Sequence, residues 1–435
     1  MWLKYALFLL VMVLPSITYA QSSAKYFGYF YNDGTSYNSS ATGFSENYNR
    51  INLYHIDLWA GNTTANGREA TILHTLSELE QARSNGVKAI ITATPFVFQF
   101  VSGSQWTSEP NASAVWGSFV DRLVSAGYLV PGNSQLSTIA AIYLIDEPEN
   151  SGFYDQNGVA DPAMVNAVKA IRGNSSTTNV PIAMVMTPDF ASMRSSIGLV
   201  DWVGFDHYEA STDVWTTEYN QLKAMLLPNQ YTILVPKAAQ GGACQVGGGA
   251  TTYDDPWRFY SLMQTDPKTV WLSPFRWFSP AANCLGVRDI PSLATSYNQI
   301  GLNFKQATNP VAGKIDSVNG PFIKGWACTT GVQQPAKIDL YVGGPYGGGG
   351  TFIGEYLANI ASGSSVAAAC SVPAGGAYAF QILLPPSVRH QYGGKKIFVY
   401  GVASYGGDSQ SLANSGSFAV PYPSVSSVVD FLLKN

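Results

Sequence analysis

The sequence predicts a (β/α)8 TIM barrel followed by a small all-β sandwich, and three observations carry that expectation. Eight short apolar runs alternate with amphipathic stretches between Tyr26 and Phe304. Polar and aromatic residues gather after those runs rather than before them, the asymmetry of a barrel whose chemistry sits on its carboxyl rim. Beyond Thr308 the helical periodicity stops, Gly, Ser and Pro become frequent, and short alternating segments take over.

Taken in order, the chain begins with a weakly basic start at Lys4, an apolar stretch Ala6–Leu14 too short to span a bilayer, and Thr18-Tyr19-Ala20 as a cleavage site before Gln21. Residues 1–20 are therefore expected to be a signal peptide, and the protein to be secreted or periplasmic. Residues 21–308 form the expected barrel. Its strand-like runs are Tyr26–Tyr31, Arg50–Ile56, Lys88–Thr94, Ile139–Ile145, Val180–Met186, Asp201–Phe205, Tyr231–Val235 and Val270–Phe275. Between them lie helical stretches at Glu69–Ser84, Val115–Ala126, Pro162–Ile171, Glu218–Leu226, Pro256–Met263 and Ile290–Phe304; in the first, Ile72, Leu76, Leu79 and Ala82 fall on one face. Residues 309–421 form the expected sandwich, with strands at Lys314–Val318, Phe322–Ala327, Ala336–Val342, Phe352–Tyr356, Ala377–Leu384, Lys396–Ser404 and Gly416–Val420. Residues 422–435 are a C-terminal tail.

Charged residues are 12% of the chain, against about a quarter in ordinary globular proteins. With a formal net charge of −4, nothing points to nucleic acid or an anionic membrane as partner, and no run after the leader is apolar enough to insert in a bilayer. The four cysteines suggest two local disulfides in an exported protein, Cys244 with Cys284 and Cys328 with Cys370. No CxxC or His–Cys spacing points to a metal site, and no cofactor is expected.

The fourth strand ends in Asp146-Glu147-Pro148-Glu149, which places carboxylates at the rim; the alternative is an acidic cap on the following helix. The second strand leads to His55-Ile56-Asp57, the sixth to Asp206-His207-Tyr208-Glu209, the seventh to Lys237 and Gln240, and the eighth to Arg276-Trp277. Hydrolysis of a glycosidic bond needs one protonated carboxyl for the leaving oxygen and a second carboxylate to attack or to activate water. Glu147 is the candidate acid. Asp206 is the preferred second carboxylate, ahead of Asp57, Asp189 and Glu209, the alternative being a turn-capping aspartate. Lys237 and Arg276 either pin an acidic sugar or pair with rim acids, and Trp59, Trp106, Tyr208, Trp215 and Trp277 either stack on sugar or simply pack, with strand-end positions favouring stacking for Tyr208 and Trp277.

Asp146-Glu147-Pro148 resembles the Asn-Glu-Pro signature of the clan of (β/α)8 retaining glycoside hydrolases, with Asp in place of the Asn. Asp206-His207-Tyr208 is similar to that clan's His-x-Tyr, and Trp277 to its sugar-platform Trp. The resemblance implies that Glu147 is the acid/base and that Asp146 contacts a sugar hydroxyl, and with them His55, Asp57, His207, Tyr208, Gln240 and Trp277 are expected to line a carbohydrate site. The clan's nucleophilic Glu belongs after the seventh strand, where this chain carries Gln240. Three readings stay open: another carboxylate serves, the substrate assists itself, or the barrel binds without cleaving. In the C-terminal part, Gly325-Trp326-Ala327 resembles a bacterial Gly-Trp-Ala type β-sandwich module, which makes Trp326 a core residue. The expectation is a secreted glycoside hydrolase acting on a polysaccharide or glycoconjugate; the alternatives are a glycan-binding protein on a degenerate barrel and a purely structural surface protein.

Overall fold

The computed structural model describes residues 24–30, 47–56, 63–102, 105–208, 210–241 and 253–423. The expected leader, Asp57, Trp59, Glu209, Cys244 and most of the C-terminal tail lie outside them. Eight strands form one parallel sheet: β1 (Tyr26–Phe27), β2 (Leu53–Ile56), β3 (Lys88–Thr92), β4 (Ile139–Asp146), β5 (Ile182–Met186), β6 (Trp202–Phe205), β7 (Tyr231–Leu234) and β8 (Thr269–Leu272). Each pairs with its sequence neighbour, except that β1 pairs with β8, so the sheet curls into a nearly closed barrel.

The remaining seam, between β1 and β2, is bridged by Asn52. Asn52 is 3% exposed. Its backbone N–H donates to Phe27 O at 3.1 Å, and its Oδ1 accepts the Phe27 N–H at 2.7 Å, so the amide stands in for a ladder partner. From the far side, Trp271 donates its indole N–H to Gly28 O at 2.9 Å.

Alternation along each strand divides two cores. Trp202 faces a compact interior cluster with Phe30, Tyr143, Val185 and Trp271. Val203 and Phe205 face the larger shell between sheet and helices, with Leu79, Met164 and Leu222. The expected helices are present, and their starts follow capping chemistry. Thr64 caps Ala65–Ser84, Asp161 caps Pro162–Gly173 and Asp255 caps Pro256–Thr265, each side chain accepting a first-turn N–H. No helix among the described residues is long and apolar enough to cross a membrane.

From Val311 onward the strands are antiparallel. One sheet holds Val311–Asn319, Phe322–Thr329, Ala377–Leu383 and Ile360–Ala361; the other holds Thr351–Ala358, Ala336–Val342, Ile397–Val402 and Gln410–Ser411. Ile315, Ile323, Ile338, Leu340 and Val399 fill the space between them. The expected strand at Gly416–Val420 is irregular: Ala419 bridges Lys396, and Gly416, Phe418 and Val420 exchange backbone hydrogen bonds with residues 394–397. Asn414 and Gly416 adopt φ of 67° and 79° in the turn between Gln410–Ser411, which pairs with Tyr400 and Gly401, and this segment, which lies along the other end of the same strand. The barrel and the sheets touch directly: Arg50 donates to Tyr405 O at 2.6 Å, and Asn309 Nδ2 to Gly86 O at 3.2 Å and Thr330 O at 2.8 Å.

Cys328 and Cys370 form a disulfide across 42 residues of chain, with Trp326 and Tyr378 packed around it. Cys284 is also disulfide-bonded, while its expected partner Cys244 lies outside the described residues. Replacing Cys328 and Cys370 together by Ala is expected to cost about 2–4 kcal/mol, through the longer reach of the unfolded chain. A melting or denaturant curve of the double variant checks this, and an unchanged curve would show the bridge to be dispensable.

Candidate active site

Strand β4 delivers its carboxylates through a local irregularity. Its pairing with β5 shifts register between Tyr143 and Asp146, and the Tyr143 hydroxyl donates to Asp146 Oδ1 at 2.9 Å. Next, Glu147 adopts φ of 37°, in the left-handed region a residue with a Cβ enters only when its surroundings hold it there. Its N–H donates to Val185 O at 2.9 Å, its carbonyl accepts the Ser151 N–H at 3.1 Å, and Asn150 Nδ2 donates to its Oε2 at 2.7 Å. The side chain of Glu147 therefore leaves the strand direction at the rim and stays partly open to solvent.

Two residues on, Glu149 is 5% exposed. Its Oε1 accepts both the backbone N–H and the hydroxyl of Thr187, just past β5, while its Oε2 is buried without a hydrogen bond. Burial is the chief cause that pushes this carboxyl above its ordinary range, and the charge of Glu147 adds to it. Glu149 thus struts the turn that carries Glu147 against the end of the neighbouring strand.

Strand β6 supplies the opposing group. Trp202 faces the barrel interior, and the two-residue period of the strand carries Gly204 and Asp206 to the same side. The Asp206 N–H donates to Met186 O at 3.1 Å, and its Oδ1 is sealed from solvent with no hydrogen-bond partner. Its pKa is raised from 3.8 to about 7, first by burial, then by the charge of Glu147, with a smaller push from Glu149; a hydrogen bond from Tyr208 works the other way. Tyr208 lies on Phe275, ring centroids 5.1 Å apart and 25° between planes. Burial raises its phenol far above the ordinary range, and the nearby charges of Asp206, Asp146 and Glu147 raise it further. Asp146, Glu147, Asp206 and Tyr208 therefore share one electrostatic site at the carboxyl rim.

The other expected residues are placed differently. His55 is 2% exposed, with Nδ1 2.6 Å from Phe30 O and its ring 4.8 Å from that of Tyr143, so it supports the tyrosine that holds Asp146. His207 turns Nδ1 to both carboxylate oxygens of Glu218, each at 2.9 Å, on the helix Thr212–Met225. Gln240 sits in a two-residue strand paired antiparallel with Leu285–Gly286. Trp277 is 6% exposed, its ring 5.0 Å from that of Tyr29 within the shell between sheet and helices, where it packs rather than offering a face. Trp215, stacked on Tyr219 and Phe205, is likewise buried. Lys237 and Arg276 are 2% and 6% exposed, and the Arg276 guanidinium lies 4.5 Å from the centroid of Phe275.

Glu149, Thr187, Tyr143 and Phe275 had no assigned role in the sequence. Glu149 belongs to the acidic run that marks the rim, but its partner is 38 residues away, and nothing in the spacing points to Thr187. Among the described residues, no group of three or more His, Cys, Asp or Glu is arranged to hold a metal ion.

No protein-family model and no curated protein matches the chain. Among solved structures it is similar to an endo-β-1,4-mannanase double mutant of Cellulomonas fimi, at 11% identity and a TM-score of 0.35, covering 86% of this chain and 89% of that one. A psychrophilic family 10 endo-β-1,4-xylanase follows at 10% identity and TM-score 0.39, covering 64% and 96%. An endo-β-N-acetylglucosaminidase of Cordyceps militaris shares 12% identity at TM-score 0.34, covering 59% and 82%. At these scores neither an activity nor a family is read from them.

Proposed function

We propose that this chain is a secreted glycoside hydrolase acting on a polysaccharide or glycoconjugate, with Asp206 and Glu147 as its acid and base. The observation that carries this reading is the carboxyl of Asp206, brought to about 7 by burial and by the charge of Glu147. A carboxyl that keeps its proton to about neutral pH, in the field of a second carboxylate, is what cleavage of an acetal requires. The sequence assigned the proton to Glu147. The raised carboxyl of Asp206 supports giving it the proton instead, so in this reading Asp206 protonates the leaving oxygen while Glu147 attacks or activates water. Asp146, oriented by Tyr143, accepts a sugar hydroxyl, and Tyr208 flanks the bond being cleaved.

The test is a pH–rate profile on soluble polysaccharides. Activity is expected to fall as pH rises through about 7, because the proton leaves Asp206 there. A profile flat from pH 5 to 9 would remove Asp206 as the acid. Stability follows the same group. Its folded-state pKa lies above its unfolded value, so from about pH 4 to 7 the native state keeps a proton the unfolded chain has released. Stability therefore declines as pH rises through that window, and the penalty is complete above it. Asp206→Asn should accordingly melt above wild type at pH 8, and near it at pH 4.

A second reading is favoured by Gln240: a barrel without a carboxylate after the seventh strand that binds glycan without turnover. It predicts oligosaccharide affinity with no sugar released over days, and any catalytic release rules it out.

A further inference from the structure

The strand Ala336–Val342 sends Ala336, Ile338, Leu340 and Val342 into the sandwich core and Lys337, Asp339 and Tyr341 outward. Outward positions of such a sheet are ordinarily polar throughout. Here one end of the outer face is built of rings. Tyr341 stands opposite Phe352 and Phe398 in register, its ring 5.3 Å from that of Phe352 and 5.7 Å from that of Tyr400. The glycine-rich turn 343–350 brings a further ring across, with Tyr346 5.7 Å from Tyr341 and 6.3 Å from Tyr400. The Tyr346 N–H donates to the Tyr400 hydroxyl at 3.1 Å, which fixes the turn over the strand. Cross-strand packing accounts for Tyr341 against Phe352. It does not account for a loop ring laid on that pair, nor for Tyr346 and Phe352 remaining 68% and 52% exposed.

The charges around these rings restrict what covers them. Asp339 stands opposite Glu355 and Tyr400 in register, and Lys337 is paired with Glu355 at 2.9 Å. Two acids thus face one base. Burial first and then the charge of Glu355 raise Asp339 above its ordinary range, against a smaller pull from Lys337. An anionic polymer or membrane would meet repulsion here, and an apolar protein surface would bury carboxylate and phenol oxygens without partners. A neutral sugar chain supplies both needs, apolar C–H faces for the rings and hydroxyl donors for the acids.

We propose that this outer sheet face is a binding platform for a neutral polysaccharide, with Tyr346 and Phe352 as its stacking residues and Asp339 and Glu355 as acceptors of sugar hydroxyls. The platform stands on its own residues, whatever the barrel does. The test is affinity electrophoresis of the full chain through gels containing galactomannan, glucomannan, mixed-linkage β-glucan or hydroxyethylcellulose, with polygalacturonate as the anionic counterpart. Wild type is expected to be retarded in at least one neutral gel and not in polygalacturonate. The variant carrying Tyr346→Ala and Phe352→Ala should bind that polysaccharide at least tenfold more weakly at an unchanged melting temperature, since both side chains are more than half exposed. Equal retardation of wild type and variant, retardation in no neutral gel, or stronger retardation in polygalacturonate would overturn the proposal. So would a concentration-dependent dimer in sedimentation that the double variant abolishes, because a second copy would then cover the face.

Discussion

Glu147→Gln is expected to lower turnover of a polysaccharide substrate by about 10²- to 10⁴-fold, the weight of a positioned acid–base group. The amide keeps the size of the side chain and an oxygen for Asn150, so the left-handed turn at Glu147 should persist and the melting temperature should change little. The charge, however, is gone, and with it the second-largest cause of the raised Asp206 pKa. The variant should thus differ from wild type in two readouts. Hydrolysis falls, and the pH window in which stability declines moves to lower pH, since Asp206 then releases its proton more readily. Full activity in a folded Glu147→Gln protein would dismiss this carboxylate pair as the catalytic machinery. A lost activity with an unmoved stability window would show that Glu147 does not face Asp206.

Gly28→Ala is expected to cost at least about 3 kcal/mol, at or beyond the upper end of overpacking penalties, and to lower the melting temperature accordingly. A Cβ at this position would lie 1.7 Å from the carbonyl oxygen of Leu53, a backbone atom that no rotamer change moves aside. That carbonyl opens β2, and Gly28 follows β1, so the intruding methyl would part the seam bridged by Asn52. Thermal unfolding followed by far-UV circular dichroism checks this. A variant as stable as wild type would mean that β1 and β2 do not approach as closely as the closure described here.

All eight barrel strands were legible because each is a short apolar run between polar ends, and a central parallel strand has little freedom to look otherwise. Glu147 and Asp206 were legible for a related reason, as charged residues abutting such runs and so confined to the rim. The strand expected at Gly416–Val420 pairs with residues 394–397 only irregularly, because the left-handed Gly416 at its start breaks the extended pattern. Trp277 carried a strand-end position that suited a platform, yet the chain turns it onto Tyr29, and only packing partners distant in sequence decide that.

The order of residues alone thus determined the alternation of strand and helix, the shift to antiparallel strands after the barrel, and which acids stand at strand ends, because these depend on local periodicity and the cost of burying charge. The tertiary structure decided that Asp206 comes within the field of Glu147, that Glu149 is braced by Thr187, and that burial pushes the Asp206 carboxyl well above its ordinary range. Those outcomes follow from burial and from fields between groups brought together by folding.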